Sequence, residues 1–300
     1  MRKSKKISIV SMLLLIIMLV IGQYVYTTDQ HKQLEENKET SAGNAEDPLM
    51  KVHFIDVGQA DCILIEHNEK YMLVDGGNNA DKDVILDYLN NLGVKEFEAI
   101  IMTHPHEDHI GSIDSVILEY KVKKIYAPKK EHTSKTYEDV LNAVMETGNS
   151  LYAPKPGESF SFGAVTVTFL APGRDYDNNL NNWSIGIKVS NGKHSFVMCG
   201  DAEKEAEEDM LATKIDLSAD VLKLSHHGSN TSSTKEFVKA VNPSYAVITV
   251  GKDNSYGHPS KSTLKMLKDN KIPYFRTDEQ GTIVITSDGE KLTYNVSPML

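Results

Sequence analysis

Met102-Thr103-His104-Pro105-His106-Glu107-Asp108-His109-Ile110-Gly111 is the stretch from which the chain is read. Three histidines and an aspartate fall within positions 104–109. The apolar run Ala99-Ile100-Ile101-Met102 precedes them and reads as a strand; the segment from Ile110 towards Tyr120 reads as a helix. The cluster therefore belongs on a strand-to-helix loop. In an extended loop side chains alternate, so His104 and His106 point the same way. Pro105 favours extended geometry at His104. Asp108 and His109 then approach from the start of the helix. Imidazole nitrogen with carboxylate oxygen suits zinc, iron or manganese. The bland alternative is a charged loop with incidental histidines.

His-Pro-His-Glu-Asp-His resembles the HxHxDH signature of the metallo-β-lactamase superfamily. The resemblance implies an α/β fold, the αβ/βα sandwich of two β-sheets flanked by helices. It also implies hydrolysis of an ester, amide or phosphodiester at one or two metals.

The remaining chain is consistent with one large domain behind an N-terminal leader. It has 300 residues, 40% hydrophobic and 25% charged. Residues 1–6 are strongly basic, and Ile7 to Ile21 is apolar apart from Ser8 and Ser11. That pattern predicts a signal-anchor or signal peptide over 1–26, with the remainder outside the cytoplasm. If uncleaved it holds the protein to the membrane; if cleaved the protein is secreted. Residues 27–48 are polar, have little to bury and read as a linker. The folded domain is expected over 49–300. Cys62 and Cys199 sit in apolar strand-like runs and are expected as buried thiols rather than a disulfide.

Strand-like runs recur before the motif and again from Phe160 to Cys199, each followed by alternating strands and helices. The expected helices include Asp81–Leu92, Ser134–Thr147, Glu203–Leu211, Thr234–Ala240 and Lys261–Asn270. In the first, Val84, Ile85, Tyr88, Leu89 and Leu92 share a face. Gly76-Gly77 after a strand marks a tight turn or close backbone approach.

Further candidate ligands lie at strand ends. Phe196-Val197-Met198-Cys199-Gly200-Asp201 places a carboxylate before a helix, where its alternative role is a helix cap. Asp201 resembles the superfamily's bridging aspartate. Leu222-Lys223-Leu224-Ser225-His226-His227-Gly228-Ser229 ends another strand in histidines, and His258 follows the next. The resemblance places the last metal histidine at His258; His226 is then a ligand or a proton donor, with His227 its competitor for that role, and the sequence does not choose between them.

Phe54 to Asp61, Leu73 to Gly77, His226 to Ser229 and Tyr256 to Pro259 are together similar to the ComEC-type branch. That branch includes extracellular hydrolase domains of competence proteins and free-standing exported relatives. The likeness spans Met50 to Ser287 and departs in three ways. Ala60 replaces the usual glycine between Gln59 and Asp61. The histidine that many relatives carry before the bridging aspartate is absent, and Asn181-Asn182-Trp183-Ser184 stands there. No multi-pass channel accompanies the domain, so an uptake pore is not expected.

The resemblance implies metal-assisted hydrolysis at one or two divalent ions, zinc or manganese. The expected ligands are His104, His106, Asp108, His109, Asp201 and His258. Asp108 also orients the attacking hydroxide, or Asp201 does; His226 or His227 protonates the leaving group. Asp75 fixes the ligand loop, while Asp56, Gln59 and Tyr256 line the pocket or form turns. Expected partners are a phosphodiester substrate, from nucleic acid or an envelope polymer such as a teichoic-acid substituent, and the membrane. The formal charge of −10 falls entirely on residues 49–300, which lack the basic footprint usual for long nucleic acids. Lys121, Lys123, Lys124, Lys129 and Lys130 form a local basic patch. A reading of another class is a non-catalytic, metal-stabilised surface binding module.

Overall fold

Alternation along the strands builds the architecture. In Ile63–His67, Ile63 and Ile65 face one core while Leu64 faces another. In Val221–Lys223, Val221 joins the first core and Leu222 a third. A strand that is apolar on both faces must be covered on both. Here one face of each sheet meets the other sheet, and its opposite face meets helices.

The computed structural model describes residues 49–300. The expected leader and linker lie outside them. Among the described residues no helix is long and apolar enough to cross a membrane.

One sheet runs, in spatial order, Leu292–Tyr294, Ile283–Ser287, Met50–Phe54, Ile63–His67, Lys70–Val74, Ala99–Ile101, Ile125–Tyr126 and Leu151–Tyr152. The other runs Tyr274–Arg276, Tyr245–Ile248, Val221–Lys223, His194–Met198, Gly186–Asn191, Val165–Ala171 and Ser159–Phe162. A two-stranded pair, Glu96–Phe97 with Lys121–Val122, stands apart. Between the sheets pack Val52, Phe54, Ile65, Val74 and Ile101 against Val167, Phe169, Ile187, Phe196 and Val247. This is an α/β sandwich, as expected.

Each sheet has antiparallel hairpins at one side and parallel strands at the other. Lys70–Val74, Ala99–Ile101 and Ile125–Tyr126 pair in parallel, as do His194–Met198, Val221–Lys223 and Tyr245–Ile248. Ligand sites in parallel sheets gather beyond the carboxyl ends of strands. Asp75, the histidine loop, Asp201, His227 and Thr249 all lie just past such ends.

Helices form where the apolar stripe and the cap agree. Lys135–Glu146 starts at Ser134, whose side chain accepts a bond from the Tyr137 N–H, and it buries Val140, Ala143 and Val144. Such a cap is worth about 1 kcal/mol. Lys82–Asn91 buries Ile85 and Leu89, but Val84 is 54% exposed, one position off the stripe. The helix expected from Ile110 to Tyr120 is two helices, Glu107–Ile110 and Ile113–Glu119. Gly111 between them donates to the Gly77 carbonyl at 2.8 Å, and a Cβ there would meet the Asn78 carbonyl carbon at 2.1 Å. Backbone docking therefore takes the place of helix continuity. The strands Leu151–Tyr152 and Tyr274–Arg276 are too short to announce themselves in sequence and are set by neighbouring strands. Cys62 and Cys199 are buried free thiols.

Candidate metal centre

The histidine loop is sewn to the turn at Gly76-Gly77. Gly76 N–H donates to the His109 carbonyl at 2.6 Å, Gly77 N–H to Asp61 at 2.8 Å, and Asp61 N–H to Asp108 at 3.0 Å. Within the loop, His104 Nε2 lies 2.9 Å from His106 Nδ1, so both nitrogens converge on one point. Asp75 accepts from the Thr103 N–H at 2.8 Å and the Thr103 hydroxyl at 2.7 Å. Its Oδ2 also lies 2.8 Å from His109 Nδ1. That contact assigns the proton to Nδ1 and leaves Nε2 for the cleft.

The second sheet supplies the facing groups. Gly200 has φ +49°, and a Cβ there would lie 2.7 Å from Thr103 Oγ1. Glycine thus lets the two sheet ends approach and brings Asp201 to the histidines. The helix cap is Glu203, not Asp201. Asp201 Oδ1 is 3.3 Å from His109 Nε2. His226 and His227 are both left-handed, with φ 54° and 52°. This costly conformation for non-glycine residues turns the two side chains apart. His227 goes inward, with Nδ1 2.9 Å from the Thr249 carbonyl and Nε2 3.3 Å from Asp108 Oδ2. His226 stays at the cleft edge, Nδ1 3.5 Å from Glu203 Oε1 and Nε2 3.7 Å from Asp201 Oδ2.

Asp108, His109, Asp201 and His227 therefore offer ligand atoms within 4.8 Å of one another. His258 lies outside that group; its ring stands 5.4 Å from that of His226 and stacks on Tyr256 at 5.8 Å. His104 and His106 meet beside this group, the His104 ring 4.1 Å from that of His109. Buried His109 Nε2, Asp201 Oδ1 and His227 Nε2 have no hydrogen-bond partner. Each such atom costs about 1–3 kcal/mol if left unpaired. Three converging on one point fit a divalent cation.

The two positions differ electrostatically. Burial, aided by neighbouring imidazoles, pushes His104 well below the ordinary histidine range; burial also lowers His106. Burial pulls His109 and His227 down too, but carboxylates outweigh it, Asp201 foremost, and raise both. Asp201 and Asp108 are held low because His109 and His227 outweigh their burial. The carboxylates thus favour protons on His109 and His227, and a metal ion would compete with those protons.

Behind the cluster lies a feature that sequence reasoning missed. Lys223 Nζ is fully buried, 2.6 Å from Asp61 Oδ2. Asp61 Oδ1 accepts from the Thr249 hydroxyl and lies 3.6 Å from His227 Nδ1. A lysine inside the run Val221-Leu222-Lys223-Leu224 was the available signal: a buried lysine requires an anion.

A cleft of about 300 Å³ opens over the cluster, lined by Gln59, His106, Asn181, His226, Tyr256 and His258 among others. A larger cavity, about 390 Å³ near Lys235, Asn242 and Lys271, includes none of these ligands. Gln59 also clamps the Gly251 N–H at 3.0 Å. Asp56 is not among the cleft-lining residues; it is exposed and caps the Gly58 N–H. Tyr256 is 72% exposed at the cleft mouth. Part of the basic patch is engaged locally: Lys123 pairs with Glu96 and Glu98, Lys124 sits over Tyr126, and Lys130 over Trp183.

The profile of the Metallo-beta-lactamase superfamily matches residues 55–252. The chain belongs to that superfamily, and with this His/Asp cluster it is a metal-dependent hydrolase of the superfamily. Its relatives narrow the branch. It is 30% identical to ComE operon protein 3 of Bacillus subtilis over 83% of this chain and 34% of that protein. It is 28% identical to Recombination protein 2 of Haemophilus influenzae over 82% of this chain and 30% of that protein. For Competence protein ComA of Neisseria gonorrhoeae the figures are 28%, 76% and 31%. These are ComEC-type competence proteins, and the chain spans about a third of the length of each. Among solved structures, the metallo-beta-lactamase fold protein YhfI from Bacillus subtilis has TM-score 0.53 at 15% identity, covering 82% of this chain and 100% of that one. That likeness concerns the fold.

Proposed function

We propose that the protein is a two-metal phosphodiesterase of the ComEC type, held at the membrane by residues 1–26 with its hydrolase domain outside the cytoplasm. The observation that carries the reading is the convergence of Asp108, His109, Asp201 and His227, with the His104–His106 pair beside His109. A single phosphodiester has one attacking and one leaving oxygen, and two ions can serve both. The competence relatives point to nucleic acid. The charge of −10 and the engaged lysines favour short or single-stranded segments over long duplex.

Bound metal would lower the pKa of a water and neutralise charge on the phosphoryl oxygens. Asp108 and Asp201 would hold metal from opposite sheets, and their remaining oxygens would orient the nucleophile. His227 would be taken up by the metal, which leaves His226 at the cleft edge as the group that would protonate the leaving oxygen. Glu203, held down to about 2 chiefly by its bond to His226, keeps that ring oriented with Nε2 towards the cleft. Asp75 and the Thr249 carbonyl fix the ring planes of His109 and His227.

The location outside the cytoplasm brings a second substrate class within reach, an envelope phosphodiester such as a teichoic-acid substituent. The test is a panel offered to the full-length, metal-loaded protein: single-stranded and duplex oligonucleotides, glycerophosphodiesters and an activated aryl phosphodiester. Cleavage of single strands ahead of the others is expected. No turnover of any phosphodiester would replace the enzyme by a metal-stabilised binding module. Protease applied to intact cells should release the domain; a fragment protected until lysis would defeat the location.

A further inference from the structure

Two more residues that line the cleft carry a buried polar atom without a partner, His258 at Nδ1 and Asn181 at Oδ1. Asn181 Oδ1 is buried with no hydrogen bond, and Asn181 lines the cleft with His106 and Asp201. A neighbour decides which end of the amide faces the cleft. Asn181 Nδ2 lies 3.5 Å from Glu203 Oε1. An ionised carboxylate only accepts, so the amide NH₂ is the end that meets it and the carbonyl oxygen is the end left over on this cleft-lining residue.

Asn181 belongs to the four residues standing where the sequence lacks a histidine. The other three are spent. Asn182 Oδ1 accepts from the Glu203 N–H at 3.0 Å, and its Nδ2 reaches Glu205 at 3.3 Å. Trp183 Nε1 donates to the Asp177 carbonyl at 3.3 Å. Ser184 Oγ accepts from the Asp201 N–H at 3.0 Å and stands 3.3 Å from His104 Nδ1. Of these side-chain acceptors, Asn181 Oδ1 alone has no hydrogen-bond partner.

We propose that Asn181 Oδ1 completes the first metal position, with His104, His106 and Asp201. This rests on the two-metal reading of the cluster but not on the choice of phosphodiester substrate. The position then offers two imidazoles, a carboxylate and a neutral amide oxygen. Replacing imidazole by an oxygen donor moves preference from zinc towards manganese. The other position, with two imidazoles and two carboxylates, binds more tightly.

The test is metal binding by the full-length protein after chelation, followed by calorimetry and by the electron paramagnetic resonance of bound Mn²⁺, without substrate. Wild type should show one tight and one weak Mn²⁺ event. Asn181→Ala should weaken the second event at least about 10-fold, the scale on which even indirect metal partners act, and leave the first. Asn181→His should raise the preference of the second event for Zn²⁺ over Mn²⁺ by a similar factor. If Asn181→Ala does not fold, Asn181→Gln, whose oxygen is displaced by one methylene, should show the same loss. Two events of wild-type affinity in Asn181→Ala or Asn181→Gln, or an unchanged metal preference in Asn181→His, overturn the proposal. Substrate turnover does not enter, so a wrong substrate class leaves the result intact.

Discussion

The two sheets build their halves of the metal centre in different ways. The first spends one contiguous loop: His104, His106, Asp108 and His109 follow a single strand. The second draws Asp201, His227 and Asn181 from separate segments. A contiguous loop carries its geometry in its spacing. Dispersed groups converge only through the backbone turns that deliver them, here the left-handed Gly200, His226 and His227.

The most severe break is at the group between the two positions. Asp201→Ala should release metal from both and lower turnover of an activated phosphodiester by 10²-fold or more, as losing essential electrostatics does. Metal analysis and kcat on folded protein check it. Retained metal with unchanged turnover would mean that the sheets do not share a ligand.

Next is His226→Ala. Metal content should stay, while the rate falls about 10²–10⁴-fold, less for substrates with good leaving groups. A uniform loss across leaving groups would remove His226 from proton transfer.

The inward and outward histidines give a third contrast. His227→Ala should weaken the tight ion beyond the roughly 10–100-fold cost of losing an outer partner; His258→Ala should change it only a few-fold. The opposite order, seen by calorimetry, would return the ligand role to His258.

The smallest effect is in protons. His104 and His106 are lowered, so they are neutral at pH 7 and should bind metal without releasing protons. His109 and His227 are raised, so in the metal-free protein they hold protons into a higher pH range. A metal must expel those protons, and affinity at that position should fall as pH falls. Titrations in buffers of different ionisation enthalpy should show proton release for the tight event and little for the weak one. Equal release would erase the electrostatic difference between the halves.

The same contrast governs what could be seen in sequence. The His104–His109 spacing declared its loop, and strand-end Asp201 declared its place through the residues before it. The choice among His226, His227 and His258 was not legible, because adjacent side chains diverge only once their left-handed turn is known. The resemblance named His258 as ligand; it lines the same cleft with a buried, unpartnered Nδ1, but its ring stacks on Tyr256 and stands outside the four-residue cluster. Asn181 was visible only as a missing histidine, since an amide becomes informative when its partners are counted. The break at Gly111 was hidden because its cause lies in the Asn78 backbone, far along the chain.

Asp61, Asp75 and His109 alone have the make-up of a further metal site. Lys223 puts its ammonium against that group. This cation is part of the chain, so no chelator extracts it and no competing ion displaces it. Stripping the protein of metal should therefore leave the rear wall of the cluster charge-balanced, and an emptied molecule should reload without refolding.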